Sequence, residues 1–305
     1  MAIPMLVNRA AKSAVALETT LILHGVPRES AREVAHGLAS EVRSAGASPT
    51  LVGIVCGIPT VGITDAELET LLAAPPASVP KVNAANLGLV LTKSGAPGTP
   101  TTSGHGATTV STTLELADAA GVRVFATGGL GGVHPDVGAH MDISGDLAAL
   151  TRHPLAVVTA GVKSILDVPA TREVLETLGV CVVGYRTDSF PAFYLRESSA
   201  GVDARFDDTQ SLARFLRAEL SRTNRAVVVA NPIPQDAALG SKEFQSLLDA
   251  AMSEARAKNI SGRAVTPFVL GRLHALSRGR TLEANIALAK ANARLAGELA
   301  VLLDR

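Results

Sequence analysis

Cysteine is scarce: the 305 residues hold two, Cys56 and Cys181. Both stand in apolar runs, Leu51 to Cys56 and Val180 to Val183, so buried reduced thiols are expected in place of a disulfide framework, and a cytoplasmic location with them. Closely spaced His or Cys pairs are missing as well, which argues against a zinc site. So is any excess of charge. The 28 basic and 28 acidic residues cancel, and no lysine or arginine run provides the electrostatic footprint of a nucleic-acid or anionic-membrane binder. The N-terminus lacks the apolar stretch and small-residue cleavage site of a secretory signal, and no apolar run is long enough for a membrane span. A soluble protein with a small-molecule partner is expected.

What is present is core-forming material, 47% hydrophobic residues, arranged in alternation. Leu51 to Cys56, Val122 to Ala126, Ala156 to Ala160, Val180 to Val183 and Ala226 to Ala230 are short, apolar and rich in β-branched residues, the pattern of buried strands. Helical patterns separate them. Pro27 opens one that ends at Gly46, and Thr64 with Glu67 forms a capping box ahead of Leu68, Leu71 and Leu72. Others run over Thr112 to Ala120, Ala170 to Leu178, Thr209 to Leu220 and Lys242 to Ala257, and a long closing helix over Leu282 to Leu303. Such alternation predicts a layered α/β protein, one domain over residues 1–305, interrupted by a Gly-, Pro-, Thr- and Ser-rich loop from Ser94 to Gly106.

Three places can carry chemistry. Lys163 follows the apolar run Val157 to Val162, where a buried strand gives way to a loop. A desolvated amine there can attack an aldehyde to form an imine, although a strand-end lysine that reaches out to solvent fits the same pattern. Glu18 lies in the apolar setting Ala14 to Thr20, which can raise a carboxylate pKa into proton-transfer range; the alternative is an exposed strand end. Gly128 to Asp146 is the densest segment, with Gly128, Gly129, Gly131 and Gly132 ahead of His134, Asp136, His140, Asp142, Ser144, Gly145 and Asp146. It matches neither a dinucleotide fingerprint nor a Walker loop. Its glycines would let backbone amides approach a phosphate, Ser144 to Asp146 would open the following helix toward an anion, and Asp142 could hold a hard divalent cation.

Read in order, Ala16-Leu17-Glu18-Thr19-Thr20, His24-Gly25, Lys81-Val82, Gly106 to Val110 and Phe125 to Gly129 resemble the pseudouridine-5'-phosphate glycosidase family, also called indigoidine synthase A-like. Gly132-Val133-His134, Asp142-Ile143-Ser144, Gly161 to Asp167, Gly184-Tyr185, Val229 to Pro232 and Thr266-Pro267-Phe268 continue the likeness from Val15 through most of the chain. The resemblance implies a three-layer α/β/α sandwich around a mixed sheet and a homo-oligomer, familiarly a trimer. It implies an enzyme that forms or cleaves the carbon-carbon glycosidic bond of ribose 5-phosphate. Lys163 would form the imine with C1 of the ring-opened sugar, Glu18 would transfer the proton, and Lys81 would contact substrate. Thr109, Val110 and Asn285 would lie near the base, His134 and Ser144-Gly145-Asp146 at the sugar phosphate, and a manganese ion at Asp142.

The chain departs from the family pattern on the aglycone side. Val82 to Gly88 stands where an Arg-Asp-Leu-Pro type segment is usual, the stretch Ser94 to His105 is longer, Thr19 replaces a serine and Gly145 an alanine. These departures lead us to expect a C-glycosynthase that attaches ribose 5-phosphate to an aromatic polyketide-type aglycone in secondary metabolism, as in antibiotic biosynthesis. The alternative is a housekeeping pseudouridine-5'-phosphate glycosidase that releases uracil. A third class is a ribose-phosphate binding protein without catalysis.

Overall fold

The computed structural model describes residues 6–93, 104–135, 137–258, 260 and 265–305. In chain order the elements are β1 (Val7–Asn8), β2 (Ala14–Glu18), α1 (Thr19–His24), α2 (Arg28–Ser44), β3 (Ser48–Val55), β4 (Ile58–Val61) and α3 (Asp65–Ala73). Then come β5 (Lys81–Val82), α4 (Leu87–Lys93), β6 (Ala107–Thr108), α5 (Val110–Ala119), β7 (Val124–Ala126), α6 (Val137–His140), α7 (Gly145–Leu150) and β8 (Ala156–Thr159). The rest is α8 (Val168–Thr177), β9 (Val182–Tyr185), β10 (Ala204–Phe206), α9 (Thr209–Thr223), β11 (Val227–Ala230), α10 (Ser241–Ala257), α11 (Val265–Leu276) and α12 (Arg280–Leu303).

Nine strands form one sheet in the order β1-β4-β3-β2-β7-β8-β11-β9-β10, while β5 and β6 pair as a separate ribbon. From β3 across to β10 every pairing is parallel, whereas β4 runs antiparallel to β3 and carries β1 with it, so the sheet is mixed. Both faces are covered, which is why the strands read as continuous apolar runs. Side chains alternate between the two layers with the period of two that a strand imposes. Val15, Leu17, Val124, Ala126, Val158 and Val229 join the core under α2, α9, α10 and α12, and Ala16, Phe125, Val157 and Val228 join the core under α5, α7 and α8. This is the expected α/β/α sandwich.

The elements read from sequence are present with ends shifted by a few residues, and the capping box is formed. Thr64 Oγ1 accepts from the Glu67 N–H at 3.3 Å, and the Thr64 N–H donates to Glu67 Oε2 at 2.8 Å. Two readings change. The central strand β2 was not among the strands expected, and the cysteines are not both buried: Cys56 is exposed and Cys181 half-buried. The apolar run through Val55 ends in a two-residue hairpin turn, with Val55 opposite Ile58. Cys56 and Gly57 supply the turn, with φ of 50° and 79°, the doubly positive pattern that suits the twist of an antiparallel pair. Burial still pushes the Cys181 thiol up, to about 11. No helix among the described residues is long and apolar enough to cross a membrane.

Candidate functional site

In a parallel sheet the polar side chains that do chemistry gather beyond the carboxyl ends of the strands, where successive crossovers leave in opposite directions. Here that point lies between β2 and β7. From β2 the chain continues to its neighbour β3 on one side, and from β7 to β8 on the other. Glu18 is the last residue of β2, Thr127 follows β7, and Lys163 follows β8 after Ala160, Gly161 and Val162.

Glu18 is buried, so the exposed strand end considered from the sequence is not what the fold makes. Its Oε1 accepts a hydrogen bond from Thr127 Oγ1 at 2.5 Å. Burial raises its pKa above the usual carboxylate range; Lys163, the Thr127 hydroxyl and Lys81 pull it back, and Asp146 pushes it further up. A carboxyl group in that condition holds its proton to higher pH than a solvated one, as a general acid needs.

Lys163 is half-buried. Its N–H donates to Leu130 O at 3.2 Å, and Val162 bridges Leu130, so the lysine backbone is tied to the glycine segment after β7. The turn that presents it depends on Gly161, whose φ is +82° and whose added Cβ would lie 1.8 Å from Pro191 O. Only glycine fits there. Ser164 Oγ donates to Ala192 O at 2.6 Å and accepts from the Tyr194 N–H at 3.2 Å, which clamps the 190–195 segment against the same turn.

Lys81 reaches the site from the small ribbon, where it pairs with Ala107. Although its residue is exposed, desolvation lowers the Lys81 pKa, the Lys163 charge lowers it further, and Glu18 opposes both. Two amines and one carboxyl group therefore share one field. Thr109 precedes α5, Val110 is its first residue and is buried, and the Thr109 N–H donates to Val82 O at 2.9 Å.

Asn285 projects from α12. It is 8% exposed; its Nδ2 donates to Gly25 O at 3.4 Å, while its Oδ1 is buried with no partner among the described residues. That oxygen lies beside Gly128, 3.4 Å from where a Cβ would stand. A buried acceptor without a partner is costly unless a ligand donor meets it.

The 128–146 segment divides its labour differently from the sequence reading. Asp146 turns its carboxylate into the protein: Oδ1 accepts from the Ser111 N–H at 3.1 Å and Oδ2 from the Gly131 N–H at 3.0 Å. It holds the first turn of α5 and the glycine segment together. Ser144 caps α7, its Oγ accepting from the Asp146 N–H at 3.2 Å, and Gly145 opens that helix. His134 and Asp142 face each other, Nε2 to Oδ2 at 3.7 Å, and the His134 N–H donates to Asp142 O at 3.0 Å. Among the described residues no group of three His, Cys, Asp or Glu stands together as a metal cage. Asp136, and Ser94 to Ser103 of the long loop, lie outside the described residues, as does the side chain of His140.

Sequence reasoning missed Thr127, Asn292 and Asn231. Thr127 and Asn231 lie inside the family motifs without a role attached, and Asn292 is an amide in an alanine-rich helix, seven residues after Asn285. An open groove of about 1000 Å³ runs along Arg28, Arg32, His36, Glu69 and Lys290 and includes none of these residues.

Comparison with known proteins agrees with the fold. The family model for indigoidine synthase A like proteins matches residues 7–302. The pseudouridine-5'-phosphate glycosidase of Methylobacterium nodulans is 45% identical over 290 residues, covering 95% of this chain and 83% of that protein. Among solved structures, the prealnumycin C-glycosynthase AlnA in complex with ribulose 5-phosphate superposes with a TM-score of 0.86 at 36% identity, over 95% of this chain and 91% of that one. An indigoidine synthase A-like protein from Thermotoga maritima gives 0.87 at 33%, over 100% and 98%.

Proposed function

We propose, because the chain belongs to the indigoidine synthase A-like family, that it is a pseudouridine-5'-phosphate glycosidase acting through an imine on Lys163. The observation that supports the reading is the placement of Glu18 at the end of β2 and of Lys163 just after β8, either side of the β2–β7 switch point, with burial raising the carboxyl pKa and the charges of Lys163 and Lys81 opposing it. A carbon-carbon glycosidic bond has no good leaving group, since uracil would depart as a carbanion. With the sugar open and its C1 bonded to the Lys163 nitrogen, Glu18 delivers a proton to the uracil carbon. The bond to C1 then breaks as the nitrogen lone pair forms the iminium. Water hydrolyses that iminium to ribose 5-phosphate and the free amine. In reverse, the iminium captures a nucleophilic ring carbon.

Lys81 would contact the sugar or its phosphate. His134 and the Ser144-Gly145-Asp146 turn would lie at the phosphate, with the Asp146 contribution confined to its backbone because its carboxylate is already engaged. A manganese ion belongs to the same reading at one point only. Asp142 offers a single carboxylate on a half-exposed turn, which suits a hard cation completed by water and phosphate oxygens rather than an all-protein cage. Such an ion would neutralise phosphate charge. A homo-oligomer, a trimer by the resemblance, is retained as part of the proposal.

The preference for an aromatic polyketide aglycone gains no support. The glycosidase relative is the more similar at 45% identity, against 36% for the C-glycosynthase, and most of the inserted loop on which that preference rested lies outside the described residues. The unpartnered Asn285 Oδ1 could accept from a ring N–H of uracil. We expect kcat/KM for pseudouridine 5'-phosphate to exceed that for coupling ribose 5-phosphate to a polycyclic phenol. We also expect Asn285→Leu to lower the former by about 10- to 100-fold, the usual penalty when a site loses a hydrogen bond to its substrate. A native preference for the phenol would overturn the assignment of substrate.

A further inference from the structure

α12 crosses the carboxyl end of β7, and its buried face is built mostly of alanine and leucine. Asn292 interrupts that face with an amide that is 0% exposed. A buried amide is tolerated only when its polar atoms are met, and here both the nitrogen and the oxygen have a partner. Asn292 Nδ2 donates to Thr127 O at 2.8 Å, and Asn292 Oδ1 accepts from Asn231 Nδ2 at 2.9 Å. Because a backbone carbonyl can only accept, the Thr127 contact fixes which end of the amide is nitrogen.

Thr127 is held on both sides. Its N–H donates to Val158 O of β8 at 3.0 Å, its carbonyl is held by Asn292, and its hydroxyl donates to Glu18 Oε1. The bonded series Asn231, Asn292, Thr127, Glu18 thus joins the ends of β11, β7 and β2 through the middle of α12. We propose that Asn292 is a positioning residue for the acid/base Glu18, acting through Thr127. Its bond to the Thr127 carbonyl fixes the threonine so that the hydroxyl engages one carboxylate oxygen and orients the other for proton exchange. The inference rests on the reading of Glu18 as the group that transfers the proton.

The charged groups that face Glu18 from the packed elements are Lys163, Lys81 and Asp146. None of them is touched by a change at residue 292 in sequence or by a direct bond, so a change in Glu18 titration there is attributable to the threonine. The Thr127 hydroxyl favours the carboxylate form. Losing it raises the Glu18 pKa further. Cleavage needs the protonated acid, so the limb of kcat that falls with rising pH moves to higher pH.

The test is the pH dependence of kcat on pseudouridine 5'-phosphate for the native protein, Thr127→Val, Asn292→Ala and the double variant, with borohydride trapping of ribose 5-phosphate on Lys163 as a check of folding. Thr127→Val is expected to displace the limb upward by about 1 pH unit, the scale of one hydrogen bond to a charged group, and Thr127→Ser to restore it. Asn292→Ala should displace it in the same direction, and the double variant no further than Thr127→Val alone, because both act through one hydroxyl. A limb left in place by Asn292→Ala, or additive displacements, would overturn the proposal. If Asn292→Ala does not trap sugar, Asn231→Ala removes only the far bond; a smaller upward displacement supports the series and none refutes it. Turnover unchanged in Glu18→Gln would instead show that the acid/base reading has failed, and the inference with it.

Discussion

Replacing Lys163 with alanine is expected to reduce turnover of pseudouridine 5'-phosphate by about 10⁴-fold or more, the scale seen when a covalent nucleophile is removed. No neighbouring group can substitute without rebuilding the site. Lys81 sits on the β5–β6 ribbon, while the Lys163 turn is fixed by Gly161 and by the Ser164 clamp. Lys163→Arg should be equally inactive although it keeps the positive charge, because a guanidinium stays protonated and cannot form an imine. The pair of variants therefore separates chemistry from electrostatics. If the arginine protein retained a substantial part of native turnover, the lysine would be a binding charge and the covalent route would be wrong.

Glu18→Gln should lower kcat by about 10²- to 10⁴-fold, the contribution of a positioned general acid, while ribose 5-phosphate is still trapped on Lys163. Thr127 can donate to the glutamine oxygen, so the local structure is preserved. The same substitution has a consequence for stability, and its sign follows from the pKa. The folded carboxyl group is raised above its unfolded value of 4.5 by burial, so folding is favoured by the protonated form. That contribution is full below the unfolded pKa and is lost as pH rises through the folded one. At neutral pH the glutamine variant should accordingly melt no lower than the native protein, with the difference closing as the pH approaches 4.5. Unchanged turnover would return Glu18 to a purely structural role, and a lowered Tm at neutral pH would contradict the electrostatic argument.

Much of the frame was legible because its signals are local. The capping box at Thr64, the β-branched runs of β8 and β11 and the period of α12 are decided by neighbours in sequence, and each stands where it was expected. The place of Lys163, directly after a buried strand, was legible for the same reason, while its chemistry was not. What was not legible depends on distant partners. Ala14 to Glu18 is short and alanine-rich, and it becomes a central strand only because β3 and β7 pair with it on either side. Asp146 reads as part of an anion-binding turn, yet its carboxylate is claimed by amides of Ser111 and Gly131, the former 35 residues away. Asn292 sits seven residues after Asn285, two turns on along the same face, and that spacing was the one available hint. Its meaning needed Thr127 and Asn231, which the sheet order brings to it. Family resemblance supplied the chemistry of Lys163 and Glu18, while the geometry supplied their shared field.

The most direct test of the central claim is to reduce the native protein with borohydride in the presence of ribose 5-phosphate and to map the modified peptide. The site contains two candidate amines, so the assignment is discriminating. The expected result is a single reduced sugar-phosphate adduct on Lys163, formed at a similar level in Lys81→Ala at saturating sugar and absent from Lys163→Ala. An adduct on Lys81, or none on either lysine under conditions where the native protein releases uracil from pseudouridine 5'-phosphate, would contradict it.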